Sequence, residues 1–368
     1  MDEQKKLYPL RFETVSDEAP WGRVAWKLAD LGFRDSKVRG GWLDGNTLGD
    51  LMETFLERMV GDEVYACYGR QFPISVKELT VDGRMPLLVC PDDELAAPRY
   101  DALGKAKLWL VTRAGADARL YVGLQDTLNA GDFYAECLSG AILSRLHAVV
   151  PQPGEAYLIP PGCVHSARGP LQIVEIAESS DLDFPVSALG GDAEAVEEGL
   201  VEALDFVGMQ ETEPPHPAGG HAPHHGDEGL ARPHGTSGEA AQDLLVEEPW
   251  ADVKRLHLHD PLHIDTEALG RFIVYLCVSG EVSLQFPAET PDGQKYMDSH
   301  VLPAGELVLI PEETGDFYLV PRAADTVLLE IVAGRQPVKD SYLDEAGDGG
   351  DAFDGPDGES LHRHHFHS

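Results

Sequence analysis

Cations are scarce in this chain: 28 lysines and arginines stand against 64 aspartates and glutamates, a formal charge of −36 over 368 residues. A field of that sign repels nucleic-acid phosphates and anionic membrane headgroups, which excludes both as partners. Solubility, or life in salt, accounts for the charge more simply than an acidic docking surface does. Cysteine is also sparse. The five present, Cys67, Cys90, Cys137, Cys163 and Cys277, are widely spaced and contain no C-x-x-C pair, so no disulfide framework is expected. Long apolar runs are missing, and nothing reaches the length of a bilayer span. No apolar stretch follows Met1–Lys6 as it would in a secretory leader. These absences lead to the expectation of a soluble cytoplasmic protein without a membrane partner.

What is present suits a turn-rich β architecture, with 38 glycines and 26 prolines in a chain long enough for two domains. Val24, Leu28 and Leu31 fall on one helical face, and Leu48, Leu51, Met52 and Phe55 on another, which predicts a helical elaboration within 21–60. Strand patterns follow at Ile74–Leu79, Met85–Val89, Lys107–Val111 and Leu171–Ile176, and a helix at Ala193–Val207. These place a first domain at 1–207. Residues 208–248, rich in proline, glycine and histidine, predict a disordered linker. A second strand-rich domain is expected at 249–336, where Phe272–Gly280 echoes Leu108–Gly115. The acidic, glycine-rich tail at 337–368, which ends in histidines, predicts disorder. Histidine tracts bind transition metals loosely, but a flexible polar segment is the preferred reading of both stretches.

One phrase carries chemistry. Gly154 to His165 reads G-E-A-Y-L-I-P-P-G-C-V-H, a glycine turn, a short apolar strand, a second turn at Gly162 and one histidine. The spacing G-x5-P-x-G-x2-H resembles the second signature motif of the cupin β-barrel, whose histidine binds a metal. The phrase recurs from Pro303 to Pro311, with Glu313 in place of the turn glycine and Asp316 in place of the histidine. The fold expected is therefore mainly β: two cupin-type jelly-roll barrels with a helical N-terminal elaboration, the second barrel without metal.

A wider set of phrases resembles the class I phosphomannose isomerases (mannose-6-phosphate isomerases). They are Tyr8-Pro9-Leu10-Arg11-Phe12, Pro20-Trp21-Gly22, Phe72-Pro73-Ile74, Pro91-Asp92-Asp93, Gly104 to Trp109, Ile159 to His165, Glu175-Ile176 and Ser180-Asp181, in that order. The resemblance implies a zinc site made by a glutamine and a histidine two positions apart on one strand face, a glutamate, and a second histidine. Carried onto this chain, those positions hold Leu88, Cys90, Lys107 and His165. The family's substrate arginine falls on Pro185. A catalytic zinc normally takes at least three protein ligands and a water, and Cys90 with His165 supplies two. The expectation is a diverged site without a cofactor, binding a small sugar or sugar phosphate; the alternative is an active aldose–ketose isomerase, or another cupin enzyme, with zinc in a rebuilt site. The resemblance leaves Glu175 as acid/base carboxylate and Lys105 as an inward lysine. Lys105, Lys107, Asp93, Glu175 and His165 are the expected pocket, in which the Lys107 ammonium substitutes for the zinc charge and pairs with Glu175 or Asp93. A second histidine cluster, His257, His259 and His263, reads as a solvated strand.

Overall fold

The structure, a computed structural model, describes residues 5–187, 193–219, 240–290 and 292–334. Its first half contains β1 (Val15–Ala19), β2 (Gly22–Leu28), helices α1 (Leu48–Phe55), α2 (Glu57–Val60) and α3 (Asp62–Tyr68), β3 (Ile74–Val81), β4 (Leu88–Val89), α4 (Asp93–Tyr100), β5 (Lys107–Ala114), β6 (Arg119–Leu124), α5 (Ala130–Ser139), β7 (Leu146–Val149), β8 (Ala156–Ile159), β9 (His165–Arg168), β10 (Leu171–Glu178), β11 (Phe184–Pro185) and α6 (Ala193–Ala203). The second half contains β12 (Ala241–Glu247), β13 (Ala251–Leu258), β14 (Leu262–Ile264), α7 (Thr266–Leu269), β15 (Ile273–Ser279), β16 (Glu281–Glu289), β17 (Lys295–Pro303), β18 (Leu307–Ile310), β19 (Phe317–Pro321) and β20 (Thr326–Ala333).

The strands form four antiparallel sheets, two in each half. Their orders are β1-β2-β3-β10-β5-β8 and β11-β4-β9-β6-β7, then β12-β13-β20-β15-β18 and β14-β19-β16-β17. Without the flanking strands, the core orders β3-β10-β5-β8 and β4-β9-β6-β7 recur strand for strand as β13-β20-β15-β18 and β14-β19-β16-β17. The mainly β, duplicated jelly-roll expectation therefore holds, each copy being a pair of sheets. Within the first half, Leu79, Val81, Trp109, Val111 and Ile173 of one sheet pack on Leu120, Val122 and Ala167 of the other. The second half repeats this with Tyr275, Cys277 and Leu328 against Val282, Leu284 and Leu319.

Strand alternation leaves each large sheet with a second apolar face. Val76, Leu108, Leu110 and Ile176 of the first half join Val274, Leu276, Leu309, Leu329 and Ile331 of the second in one buried cluster, capped by Leu51, Met52 and Met59. The helices of the N-terminal elaboration thus cover the seam between the two halves. Glu313, at the lost glycine turn, accepts from Leu7 N at 2.6 Å and pairs with Arg58 at 2.5 Å. Leu10 also bridges to Leu309 of β18.

Two expectations are corrected. Val24 and Leu28 lie on strand β2, paired with β1 and with β3, and not on a helix; a spacing of four fits a two-residue period as well as a helical one, and the strand partners decide. The linker boundaries of 208–248 also contract. Residues 208–219 run along the first half, with Gly208 N bonded to Gly162 O (2.9 Å) and Ala218 N to Ala156 O (2.7 Å). Ala241–Glu247 is strand β12, paired with β13 because Leu245 and Val246 reach the core. The rest of that segment, 220–239, and the tail from 337 lie outside the described residues.

Candidate functional site

The site lies between the two sheets of the first half. Side chains two apart on a strand share a face, so Lys107, Trp109 and Val111 of β5 point inward while Leu108 and Leu110 face the seam. On β3, Lys77 shares the inward face of Leu79 and Val81, and on β10 Glu175 shares that of Ile173. Register then sets Lys77, Glu175 and Trp109 side by side across three strands. Glu175 accepts from the Trp109 indole at 2.8 Å and pairs with Lys77 Nζ at 2.7 Å.

His165 enters from the facing sheet, at the first residue of β9, opposite Leu88 and Val122. Its Nδ1 is 2.9 Å from the Cys163 carbonyl, and its ring stands edge-on to Trp109 with centroids 5.4 Å apart. Cys90 follows β4 and is held by its carbonyl, which accepts from Gly162 N at 2.8 Å. Gly162 sits at φ +77°, where a β-carbon would also meet the Phe206 carbonyl at 2.9 Å, so the motif's turn needs glycine. Gly104 has a similar role. A β-carbon there would come within 2.5 Å of the Asp92–Asp93 backbone, and this close approach brings the next residue, Lys105, into the pocket.

The residue that organises the site was not foreseen. Asp183, just before β11, binds Lys105 at 2.5 Å through Oδ2, and Lys107 and the Cys90 thiol (3.2 Å) through Oδ1. Lys107 Nζ is also 3.1 Å from His165 Nε2. Lys105, Lys107, His165, Cys90 and Glu175 are all buried, whereas Asp183 keeps a quarter of its side-chain surface accessible and marks the open side. Of the expected pocket, the structure brings Lys105, Lys107, His165 and Glu175 together, with the metal candidate Cys90 beside them. The expected partners of Lys107 are corrected. Glu175 is engaged by Lys77 and Trp109, and Asp93 lies at the start of α4, accepting from Gly104 N at 2.7 Å. The expectation of only two metal donors is also corrected, because Asp183 adds a third: the ligand atoms of Cys90, His165 and Asp183 lie within 4.8 Å of one another.

Charge follows from this packing. Burial raises and the lysines lower the Asp183 carboxyl, which ends well below the usual carboxylate range. Burial likewise opposes ionisation of Glu175, yet Lys77 and Lys107 bring it down to about 2. Burial, with Lys107 beside it, pushes His165 down to about 3 and keeps the imidazole neutral. Burial and Asp183 push Cys90 up to about 12, so it is a thiol at neutral pH. For Lys107, burial is outweighed by Asp183 and the ammonium is favoured; for Lys105, burial prevails and its pKa falls. The described groups are three amines and two carboxylates around one neutral imidazole.

The second half isolates what is particular to this cluster. Lys254, Glu330 and Tyr275 stand in the same register across β13, β20 and β15. Tyr275 donates to Glu330 at 2.7 Å, with Lys254 at 4.0 Å. The lysine–glutamate–aromatic row is therefore common to both halves, whereas Cys90, Lys105, Lys107, His165 and Asp183 belong to the first. Asp316, at the histidine position of the second phrase, pairs with His263 at 3.3 Å.

Paired antiparallel sheets repeated twice, with a polar pocket between the first pair, define a double jelly-roll protein of the cupin kind. Its relatives are mannose-6-phosphate isomerases. The chain is 27% identical over 195 residues to mannose-6-phosphate isomerase ManA of Bacillus subtilis, an alignment covering 48% of this chain and 59% of ManA. The chain thus aligns with about six-tenths of the length of the curated relative. Among solved structures, the mannose 6-phosphate isomerase from Bacillus subtilis superposes with a TM-score of 0.67 at 17% identity, over 88% of this chain and 99% of that one. A zinc-bound mannose 6-phosphate isomerase superposes with a TM-score of 0.63 at 12% identity, over 89% and 100%. At such identities the structures speak for the fold. No family model matches the chain. Among the described residues, no helix is long and apolar enough to cross a membrane.

Zinc in one relative raises the question of whether this donor set fits an ion. Sulfur, imidazole and carboxylate are suitable zinc donors, and their spacing is short enough. The Lys107 ammonium, however, already engages the His165 and Asp183 atoms that an ion would need. An ion at this donor set would compete with Lys107 for both residues.

Proposed function

We propose that this mannose-6-phosphate isomerase-like protein binds a sugar or sugar phosphate in the first-half pocket and has lost zinc-dependent turnover. The observation that carries the reading is Lys107, buried between Asp183 and His165 and standing where the resemblance places a glutamate ligand. A buried ammonium requires an anionic partner, and Asp183 provides it. Three amines, Lys77, Lys105 and Lys107, gather around two carboxylates in a protein that is otherwise strongly acidic. That gathering favours an anionic ligand, and the sugar 6-phosphate of the relatives suits it, entering at the accessible side of Asp183.

In aldose–ketose isomerisation, a base moves a proton between C1 and C2 while an electrophile polarises the carbonyl. Glu175 is paired with Lys77 and Trp109, and its lowered pKa makes it a weak base. Lys105 and Lys107 are positioned to hold an anion. The second reading, an active isomerase with a rebuilt metal site, is favoured by the Cys90, His165 and Asp183 donors alone. Calorimetric titration of chelator-treated protein decides between them. Mannose 6-phosphate is expected to bind more tightly than mannose, and Lys105→Met to weaken it by about ten- to a hundredfold, the scale of a lost hydrogen bond to a charged group. Zinc-supplemented protein is expected to show no isomerisation. Turnover that requires zinc would establish the second reading, and absence of binding by either sugar would defeat the first.

A further inference from the structure

We propose that Lys107 masks a divalent-metal site: Cys90, His165 and Asp183 form a sulfur, nitrogen and oxygen donor set that accepts a borderline-soft ion such as cobalt(II) or zinc once the ammonium is removed. The inference rests on reading Lys107 as the resident cation of the pocket; His165 and Cys90 stand at positions where the family resemblance places ligands, and Asp183 is a donor it does not imply. Each donor is already fixed by a second contact. His165 Nδ1 lies 2.9 Å from the Cys163 carbonyl, which selects the tautomer whose Nε2 lone pair faces Lys107. Fixing one imidazole nitrogen in this way is how metal-binding histidines are generally oriented. The Cys90 carbonyl is held by Gly162, and Asp183 precedes the short β11 pairing with β4. The three donor atoms lie within 4.8 Å of one another without further movement.

The charges also balance. Removing the ammonium subtracts one positive charge, a divalent ion adds two, and the Cys90 thiol releases one proton to solvent as its sulfur bonds to the ion. The pocket's net charge is then unchanged, so the neighbours Lys105, Lys77 and Glu175 keep their electrostatic setting. In the wild type the ion would instead sit against Lys107 while competing with it for Asp183 and His165. One side chain therefore separates an ammonium-filled pocket from a metal-binding one.

The test is cobalt(II) titration of the full chain, followed by the near-ultraviolet thiolate-to-cobalt charge-transfer band, which histidine tracts cannot produce. Lys107→Met is expected to show the band and to bind cobalt on the order of ten- to a hundredfold more tightly than wild type, the size of effect that neighbouring residues exert on metal affinity. Zinc should displace the cobalt, and adding Cys90→Ser should abolish the band. The proposal fails if folded Lys107→Met lacks the band, if the band survives Cys90→Ser, or if wild type shows it at the same cobalt concentration. Lys107→Gln, which keeps a donor for Asp183, provides a second folded variant. Should both fold only with cobalt present, a band in the refolded protein supports the site and its absence counts against it. Mannose 6-phosphate binding by metal-free wild type is measured separately, so either idea can fall alone.

Discussion

At the scale of residues, the pocket is supported by carboxylates that do not face it. Glu178 is buried and accepts from the backbone N–H of Ala106, between Lys105 and Lys107, at 2.7 Å. Burial, with Asp93 nearby, pushes its carboxyl from 4.5 up to about 7. Between those values the folded protein keeps a proton that the unfolded chain has released. The stability due to Glu178 is therefore complete below pH 4.5 and is lost as pH rises to about 7. Glu178→Gln should remove that slope while keeping an acceptor for Ala106. Urea midpoints at several pH values should show the variant gaining on wild type across this window by on the order of 3 kcal/mol. Parallel curves would mean that the shift is absent. Asp183 teaches the complementary lesson: its sequence neighbours give no periodicity, and only the pairing of β11 with β4 brings it to Lys105 and Lys107.

At the scale of elements, much was legible. The α1 pattern of Leu48, Leu51, Met52 and Phe55 proved helical, with all four side chains buried. Thr47 and Asp50 close a capping box at its start, Thr47 Oγ1 accepting from Asp50 N at 3.1 Å. Thr47→Ala should cost about 1 kcal/mol, read as a lowered urea midpoint with an unchanged slope. The motif glycines were legible because turns restrict which residues can occupy them, and His165 because it follows one of those turns. Lys77 carried a signal that went unused: it occupies the inward phase of β3 between residues that reach the core, where an unpaired lysine is costly. The partners of Lys107 were not legible. Asp93 and Glu175 were plausible from sequence, but one bonds Gly104 and the other is taken by β3 and β5, and such choices depend on register between distant strands.

At the scale of the whole molecule, the seam outweighs the domain boundary. The two sheet pairs are topological copies, yet their large sheets bury one common apolar face, and Arg58 with Glu313 ties the helices to the second copy. Burial of that kind couples the halves energetically. Scanning calorimetry should therefore show one cooperative transition, with van't Hoff and calorimetric enthalpies in agreement. Two resolved transitions would mean that the halves unfold independently. A fragment ending at residue 207 should be poorly soluble, since it would present Val76, Leu108, Leu110 and Ile176 to water.

The bridge from Leu10 to Leu309 bears on how the chain is born. A ribosome adding about 5–20 residues per second needs roughly 15 to 60 s to travel from one of these positions to the other. Throughout that interval Leu10 lacks its β18 partner, and the seam-facing side of the first sheet lacks the cover that the second half provides. The Leu10 side of this bridge is thus made long before the Leu309 side, and the contact can close only once β18 has been synthesised.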